Sequence, residues 1–164
     1  GGKPNRMVID ADDNLWVLNG GKVDNSNPFA AGLGSLYRYN LDTLNTAIDS
    51  GWAIVPDTVM YFTDNLLKPH SLTINKEGSQ LFFIGNSPTG SVFSMSTTAK
   101  RVDENPMIVG NYYTLAFDKL ELELYAMRLP DNTDQDGDLQ VYSPAGNLKT
   151  SIKIGVKPKN VVFK

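Results

Sequence analysis

A short apolar phrase recurs four times along this chain of 164 residues, and it limits the possible folds more than any other feature. It reads KPNRMVID at 3–10, KPHSLTIN at 68–75, NYYTLAFD at 111–118 and KPKNVVFK at 157–164. With Pro4, Pro69, Tyr112 and Pro158 taken as equivalent, the copies lie 65, 43 and 46 residues apart. Repeats of this length are structural units that cannot bury their apolar faces alone and must stack on one another.

Each phrase is followed by further short runs that predict strands. The second runs are 15–18, 81–84 and 124–127, the third are 35–40, 91–96 and 139–143, and the fourth are 106–110, 150–155 and a less clear one within 52–62. They are rich in Val, Ile, Tyr and Phe and are separated by Gly, Asn, Asp and Pro, which is typical of β-meanders. No segment keeps a helical period over three turns, so the segment 40–50 is expected to form one short helical turn at most.

Four strands per unit and a period in the forties predict an all-β fold, namely a β-propeller. We divide the chain into blades at about 1–66, 67–110 and 111–155, with a lone closing inner strand at 156–164. The first blade is enlarged by insertions at 19–34 and within 40–67. About three and a half four-stranded blades do not close a ring, because propellers carry about four to eight. We therefore expect a fragment of a seven- or eight-bladed ring, or a homodimer that pairs two half-rings.

Composition excludes several classes of function. The hydrophobic fraction of 41% and charged fraction of 20% are those of a soluble globular chain. A net charge of −3 gives no reason to expect nucleic acid as a partner. No apolar run approaches the length of a membrane span. Zero cysteines and one histidine exclude zinc sites built from these two residue types.

The sequence resembles the YVTN-type β-propellers of bacterial surface and periplasmic proteins. The resemblance lies in the order of its motifs: the repeated phrase, a polar turn, LWVL or LYAM, and then SLYRYN. The segment PNRMVIDADDNLWVLNGG is most similar to the surface-lipoprotein branch of this family in the Bacteroidetes. The resemblance covers 3–164. It implies export to the cell surface or periplasm, and membrane attachment only through a lipidated N-terminus that this chain lacks. It also implies function by binding, with cobalamin as the ligand of some members.

Topology predicts where a ligand would bind. If the inner strand runs from one face to the other, the loops that enter the inner strands share a face with the long loops 19–34, 85–90 and 128–138. The candidate ligand-binding residues on that face are Asn5, Arg6, His70, Tyr112, Tyr113, Lys159 and Arg128. Aromatic rings beside cationic and amide groups can stack on and hydrogen-bond a polar organic ligand. The alternative is that the tyrosines fill the channel mouth and the lysines are solvated.

Two motifs suggest other chemistry. His70 lacks a recognisable nucleophile or orienting carboxylate in the sequence, so a structural or ligand-contacting role is favoured over catalysis. Asp134, Asp136 and Asp138 lie in DNTDQDGD, which matches the first half of a calcium loop. The glutamate that would complete such a loop is absent, and an ordinary hairpin turn is the alternative. No cofactor other than calcium is expected.

These features predict a non-enzymatic module that binds a small organic ligand or a partner protein on the long-loop face. One alternative is a lactonase-like hydrolase, which would bring carboxylates together at the channel. Another is a scaffold that makes only protein contacts. Since one fold supports many functions, the repeat alone does not choose among them.

Overall fold

The computed structural model describes residues 4–21, 32–62, 68–86, 89–103, 105–130, 136–155, 161 and 163. Its elements are β1 (Pro4–Ile9), β2 (Asn14–Asn19), β3 (Ser35–Asn40), α1 (Leu41–Ser50), β4 (Thr58–Tyr61), β5 (His70–Ile74), β6 (Gln80–Ile84), β7 (Gly90–Ser96), β8 (Ile108–Asp118), β9 (Glu123–Arg128), β10 (Asp138–Tyr142) and β11 (Leu148–Lys153). The all-β prediction is confirmed. No helix in these ranges is long and apolar enough to cross a membrane.

The strands form antiparallel meanders that correspond to three blades. Blade 1 is the sheet β1-β2-β3-β4, in sequence order. The other seven strands form one sheet in the order β5 to β11, because β8 belongs to two blades at once. Ile108 at its start pairs with β7 and completes blade 2, whereas Tyr112–Asp118 pairs with β9 and begins blade 3. The fourth strand of one blade therefore continues directly into the inner strand of the next.

The last residue of the repeated phrase closes a turn in each blade. Asp10, Asn75 and Asp118 stand at or just after the end of β1, β5 and β8. The Oδ1 atom of each accepts two backbone hydrogen bonds from the turn that follows. The distances are 2.9 and 2.9 Å for Asp10, 2.8 and 2.9 Å for Asn75, and 2.8 and 3.2 Å for Asp118. A short polar side chain that satisfies turn N–H groups is the usual reason for Asp or Asn at such positions. The Asp or Asn that ends each of these copies of the phrase therefore has a structural role in its turn.

The segment 40–50 was expected to form one helical turn, and that prediction is wrong. Helix α1 has 10 residues. The Asn40 side chain caps its N-terminus by accepting from the Thr43 N–H at 3.1 Å, and Gly51 ends it in the left-handed conformation with φ 68°. Only Ala47 is buried on the helix, so the caps at both ends help to hold a segment that places little of its surface in the core.

Apolar side chains that alternate along each strand form two cores, one on either face of blade 2. The core between blades 1 and 2 contains Trp16 and Phe62, both fully buried, and the Phe83 ring stacks on Phe93 at 5.6 Å. The core between blades 2 and 3 contains Phe82, stacked on Phe117 at 5.7 Å. Since Phe82 and Phe83 are neighbours in one strand, they point to opposite faces and join the two cores.

Candidate functional site

All three inner strands contain one extra residue where they enter the sheet. The pairing shifts by one residue between Pro4 and Arg6 in β1, between His70 and Thr73 in β5, and between Tyr112 and Thr114 in β8. A bulge of this kind turns a side chain away from the regular alternation, and bulges are common beside functional sites. The repeated bulge therefore positions side chains from three blades at one end of the channel.

A cavity of about 290 Å³ lies between the bulged ends of these strands. Each blade contributes two lining residues. They are Asn5 and Arg6 from blade 1, His70 and Ser71 from blade 2, and Tyr113 and Thr114 from blade 3. The first strands thus bring Asn5, Arg6, His70 and Tyr113 together, in agreement with the face predicted from topology. The described lining supplies amide, guanidinium, hydroxyl and imidazole groups, and it contains no carboxylate.

Hydrogen bonds between blades fix this end of the inner strands. The Nδ2 atom of Asn5 donates to the backbone oxygen of Pro69 at 3.0 Å. The Leu115 N–H donates to Oγ of Ser71 at 2.7 Å, although the two residues are 44 positions apart. Ser71 has φ 56°, a strained conformation for a residue other than glycine. Because its hydroxyl is an acceptor in the blade contact, its own proton remains available for a ligand.

His70 is half-buried at the start of β5. Burial lowers the pKa of its imidazole below the ordinary value of 6.5, and backbone groups of Lys68 and Tyr113 oppose that shift only in part. These groups lie near the ring, yet within the described ranges neither ring nitrogen has a hydrogen bond of good geometry. Both nitrogens are also shielded from solvent, although the residue lines the cavity. This placement favours a wall of the site rather than a general base.

Tyr113 is half-buried in the cavity wall. Burial raises the pKa of its hydroxyl above the ordinary value of 10.0, so it remains a neutral donor. Its oxygen lies 3.3 Å from the sulfur of Met127. The side chain adds an aromatic surface to the site, on which a flat or polar organic group can pack.

Tyr112 was predicted at the channel mouth, and the structure corrects this. It is only 3% exposed, and its hydroxyl donates to Oε1 of Gln140 at 2.7 Å and lies 2.5 Å from the hydroxyl of Tyr142. The bulge separates its direction from that of Tyr113, so one tyrosine enters the core between blades 2 and 3 and the other faces the cavity.

The remaining predicted residues lie elsewhere. Arg128 pairs in register with Tyr112 at the end of β9 and does not line the cavity. Asp136 is exposed, and Asp138 forms an ion pair of 2.8 Å with Lys153. Lys159 and Asp134 lie outside the described residues. No cluster able to hold a metal occurs in the described ranges, and the calcium site stays a prediction.

A second cavity, of about 460 Å³, continues from the first along the inner strands and shares Arg6 and Thr114 with it. Its other lining side chains are mostly apolar and include Met7, Leu72, Phe117, Val161 and Phe163. Both cavities expose polar and apolar surface side by side, as sites for small organic molecules commonly do.

Sequence reasoning did not find a third cavity, of about 350 Å³, beside α1. It lies between the helix and the segment 52–57, and Tyr39, Ala47, Trp52 and Ile54 form much of its apolar lining. Trp52 is 68% exposed at its rim. The cavity depends on the unexpected helix, so the only early sign of it was an unassigned tryptophan in the insertion.

Comparison with known proteins identifies the fold. No protein-family model matches the sequence, and no curated protein does. Among solved structures, the chain is similar to a gluconolactonase from Xanthomonas campestris, with a TM-score of 0.57 and 16% identity over 93% of this chain. The fold is that of a β-propeller. A eukaryotic initiation factor matches with a TM-score of 0.45 and 9% identity over 93% of this chain.

This chain covers 48% of the gluconolactonase and 44% of the initiation factor, so it spans about half the length of the solved structures that it matches. Three blades of the propeller therefore account for the described strands, and the number of blades in a complete ring remains a prediction. Identity at this level informs the fold and carries no residue roles.

Proposed function

We propose that this chain is a binding module that holds a small polar organic ligand at the mouth of its propeller channel. The supporting observation is the convergence of Asn5, Arg6, His70 and Tyr113 from three blades on one cavity. A rigid set of strands presents these groups, so little ordering is needed when a ligand binds.

The chemistry of the wall favours a ligand with hydrogen-bond acceptors or a negative charge. Arg6 is exposed and carries a permanent charge, and the hydroxyl of Ser71 can donate. The second cavity, which shares Arg6 and Thr114 with the first, offers further room for the same molecule. Cobalamin capture, on an exported bacterial protein at the cell surface or in the periplasm, is the specific form of this proposal that the YVTN resemblance suggests.

Binding can be measured by isothermal titration calorimetry with cobalamin, simple sugar acids and glucono-δ-lactone as probes. Arg6→Ala is the test variant, and Lys119→Ala is the control, because Lys119 is also exposed but lies in the turn at the opposite end of blade 3. We expect Arg6→Ala to weaken the binding of any acidic or phosphate-bearing probe about tenfold or more, as for the loss of a charge-assisted hydrogen bond. Equal affinity in both variants would contradict the site.

A hydrolase is the second candidate, favoured by the structural similarity to a gluconolactonase. Lactone opening needs an activated water and a group that stabilises the developing oxyanion. The described mouth offers Arg6 and Tyr113 for the second role but no carboxylate for the first. A pH-stat assay with glucono-δ-lactone decides between the candidates, since turnover that Arg6→Ala reduces would replace the binding proposal with an enzyme.

A further inference from the structure

The cavity beside α1 is built from one stretch of the chain. Every described residue of its lining lies within 39–57, from the end of β3 to the segment before β4. Two backbone hydrogen bonds fix the segment that returns from the helix. The Trp52 N–H donates to the oxygen of Ala47 at 2.9 Å, and the Asp57 N–H donates to the oxygen of Arg38 at 3.0 Å. Both walls therefore belong to blade 1 alone.

The body of this cavity is apolar and partly aromatic. Its volume of about 350 Å³ lies in the range of pockets for small organic molecules, and its lining includes Tyr39, Ala47, Trp52 and Ile54. The Trp52 side chain remains 68% exposed at the rim. An exposed indole beside an apolar cavity offers a large surface against which a ligand can pack.

The hydroxyl groups of the lining can only accept further hydrogen bonds. The Thr43 hydroxyl donates to Oδ1 of Asn40 at 3.3 Å, and the Thr46 hydroxyl donates to the backbone oxygen of Asp42 at 2.9 Å. Each hydroxyl has one proton, which these bonds use, so the remaining capacity of both oxygens is as acceptors. A ligand that donates hydrogen bonds therefore suits this edge of the cavity.

The charge of the described lining is negative. Asp42 and Asp57 are its charged members. Asp57 is already paired, because Arg38 lies 2.7 Å from its Oδ2 and the Asn40 N–H donates to its Oδ1 at 3.0 Å. Within the described part of the chain, the carboxylate of Asp42 has no hydrogen bond or ion pair. One carboxylate is thus left for a cation at the edge of an aromatic cavity.

This cavity differs in place and in charge from the cavity at the channel mouth. Asn40 pairs with Asn14 at one end of blade 1, whereas Asn19 pairs with Pro4 at the other end, beside the mouth. The mouth contains Arg6 and, among its described lining, no carboxylate. The two cavities are therefore complementary to ligands of opposite charge.

We propose that the cavity beside α1 binds a small organic ammonium ion with an apolar body. The body packs between the helix and the return segment, against Tyr39 and Trp52. The ammonium group donates to Asp42 and gains from the neighbouring aromatic rings through cation–π attraction. Because Asp42 and Trp52 are exposed, the charge adds only modestly to affinity, and the apolar contact supplies most of it. This site goes beyond the proposed function, since it does not involve the channel mouth.

Two probes with the same carbon skeleton test the charge. Isothermal titration calorimetry should show that 2-phenylethylammonium binds about fivefold more tightly than the neutral 2-phenylethanol. Both should change the tryptophan fluorescence at saturating concentration. That signal reports the site, because Trp16 is fully buried and Trp52 is the exposed tryptophan. Equal affinity for the two probes would overturn the assignment of an ammonium ligand.

Asp42→Asn is the test variant, and Asp49→Asn is the matched control, because both carboxylates are exposed on α1 but Asp49 does not line the cavity. Asp42→Asn should weaken 2-phenylethylammonium about fivefold and leave 2-phenylethanol unchanged, whereas Asp49→Asn should change neither. Trp52→Ala should weaken both probes about tenfold or more. Arg6→Ala should leave both affinities unchanged, which separates this site from the mouth. Thermal melting checks that each variant remains folded.

Three results would overturn the proposal. The first is an equal loss of ammonium binding in Asp42→Asn and Asp49→Asn, since that shows only a general effect of surface charge. The second is the absence of saturable binding by either probe. The third is a change in tryptophan fluorescence on raising the protein concentration alone, which would assign the cavity to a protein contact.

Discussion

The indole Nε1–H of Trp16 donates a hydrogen bond of 2.8 Å to Oδ2 of Asp10, at the buried base of blade 1. The same carboxylate accepts the turn N–H groups of Asp12 and Asn14 through Oδ1. One side chain therefore closes the first hairpin and satisfies the polar atom of the largest core residue between blades 1 and 2. A loss of this carboxylate affects both the local turn and the packing of blades.

Asp10→Ala is expected to lower the free energy of unfolding by about 2–4 kcal/mol, because a buried indole N–H and two turn N–H groups lose their acceptor. Asp10→Asn keeps Oδ1 for the turn, as Asn75 does in blade 2, and should cost only about 1–2 kcal/mol. Urea denaturation measures both values. Equal losses would show that the indole bond contributes nothing beyond the turn.

The Asp10 carboxyl group also makes the free energy of unfolding depend on pH in the acid range. Burial alone would raise the pKa of Asp10, but hydrogen bonds from Trp16, Asn14 and Asp12 outweigh it and hold the pKa below the ordinary 3.8. The folded state therefore binds this proton less readily than the unfolded state. Its contribution is complete above about pH 3.8 and is lost as the pH falls through the lower folded-state pKa. Urea denaturation across this range should show a flatter acid limb for Asp10→Asn.

His70 acts in a separate pH window. Because burial lowers the pKa of the imidazole, the unfolded chain takes up a proton near the ordinary 6.5 while the folded chain does not. Stability should fall as the pH drops below about 6.5 and level off below the folded-state pKa. His70→Gln removes this slope and leaves the one due to Asp10 in place. A wild-type stability that is constant between about pH 7 and about pH 5 would contradict the burial of the ring.

Ser71→Ala tests the hydrogen bond between blades 2 and 3. The buried Leu115 N–H would lose its acceptor, at a cost of about 1–3 kcal/mol. Ser91→Ala is the control, since Ser91 Oγ accepts the Gly110 N–H at the longer distance of 3.4 Å in a partly buried position. Thermal denaturation should show a clearly larger drop in melting temperature for Ser71→Ala.

Gly78→Ala tests the contact between the turns of blades 1 and 2. Gly78 has φ 66°, its oxygen accepts the Ala11 N–H at 3.1 Å, and an added Cβ would lie 2.5 Å from that nitrogen. Gly51 also has a positive φ, but an added Cβ meets nothing within 4 Å. Gly51→Ala should therefore cost about 1 kcal/mol for backbone strain alone. Gly78→Ala should cost more, because one backbone must move, and equal losses by urea denaturation would contradict that contact.

The propeller fold could be predicted because its signal is local and repeated. Alternating apolar residues and turn residues mark each strand without reference to distant contacts, as in β6 and β7. Helix α1 has apolar residues at helical spacing between the Asn40 and Gly51 caps, but it was missed because its 10 residues are too few to keep that period over three turns.

The candidate site was predicted only in part. Topology placed Asn5, Arg6, His70 and Tyr113 at one end of the channel, because that inference needs strand order alone. It placed Tyr112 there too, since two adjacent tyrosines look equivalent in a sequence. Only the pairing of β8 with β9 shows which one the bulge turns into the core.

The sequence by itself determined the all-β class and the side chains that alternate between core and surface, because strand period and turn chemistry are properties of neighbouring residues. The tertiary structure alone decided which side chains meet. Ser71 reaches Leu115, and three bulged strands share one cavity, because residues far apart in the chain pack together.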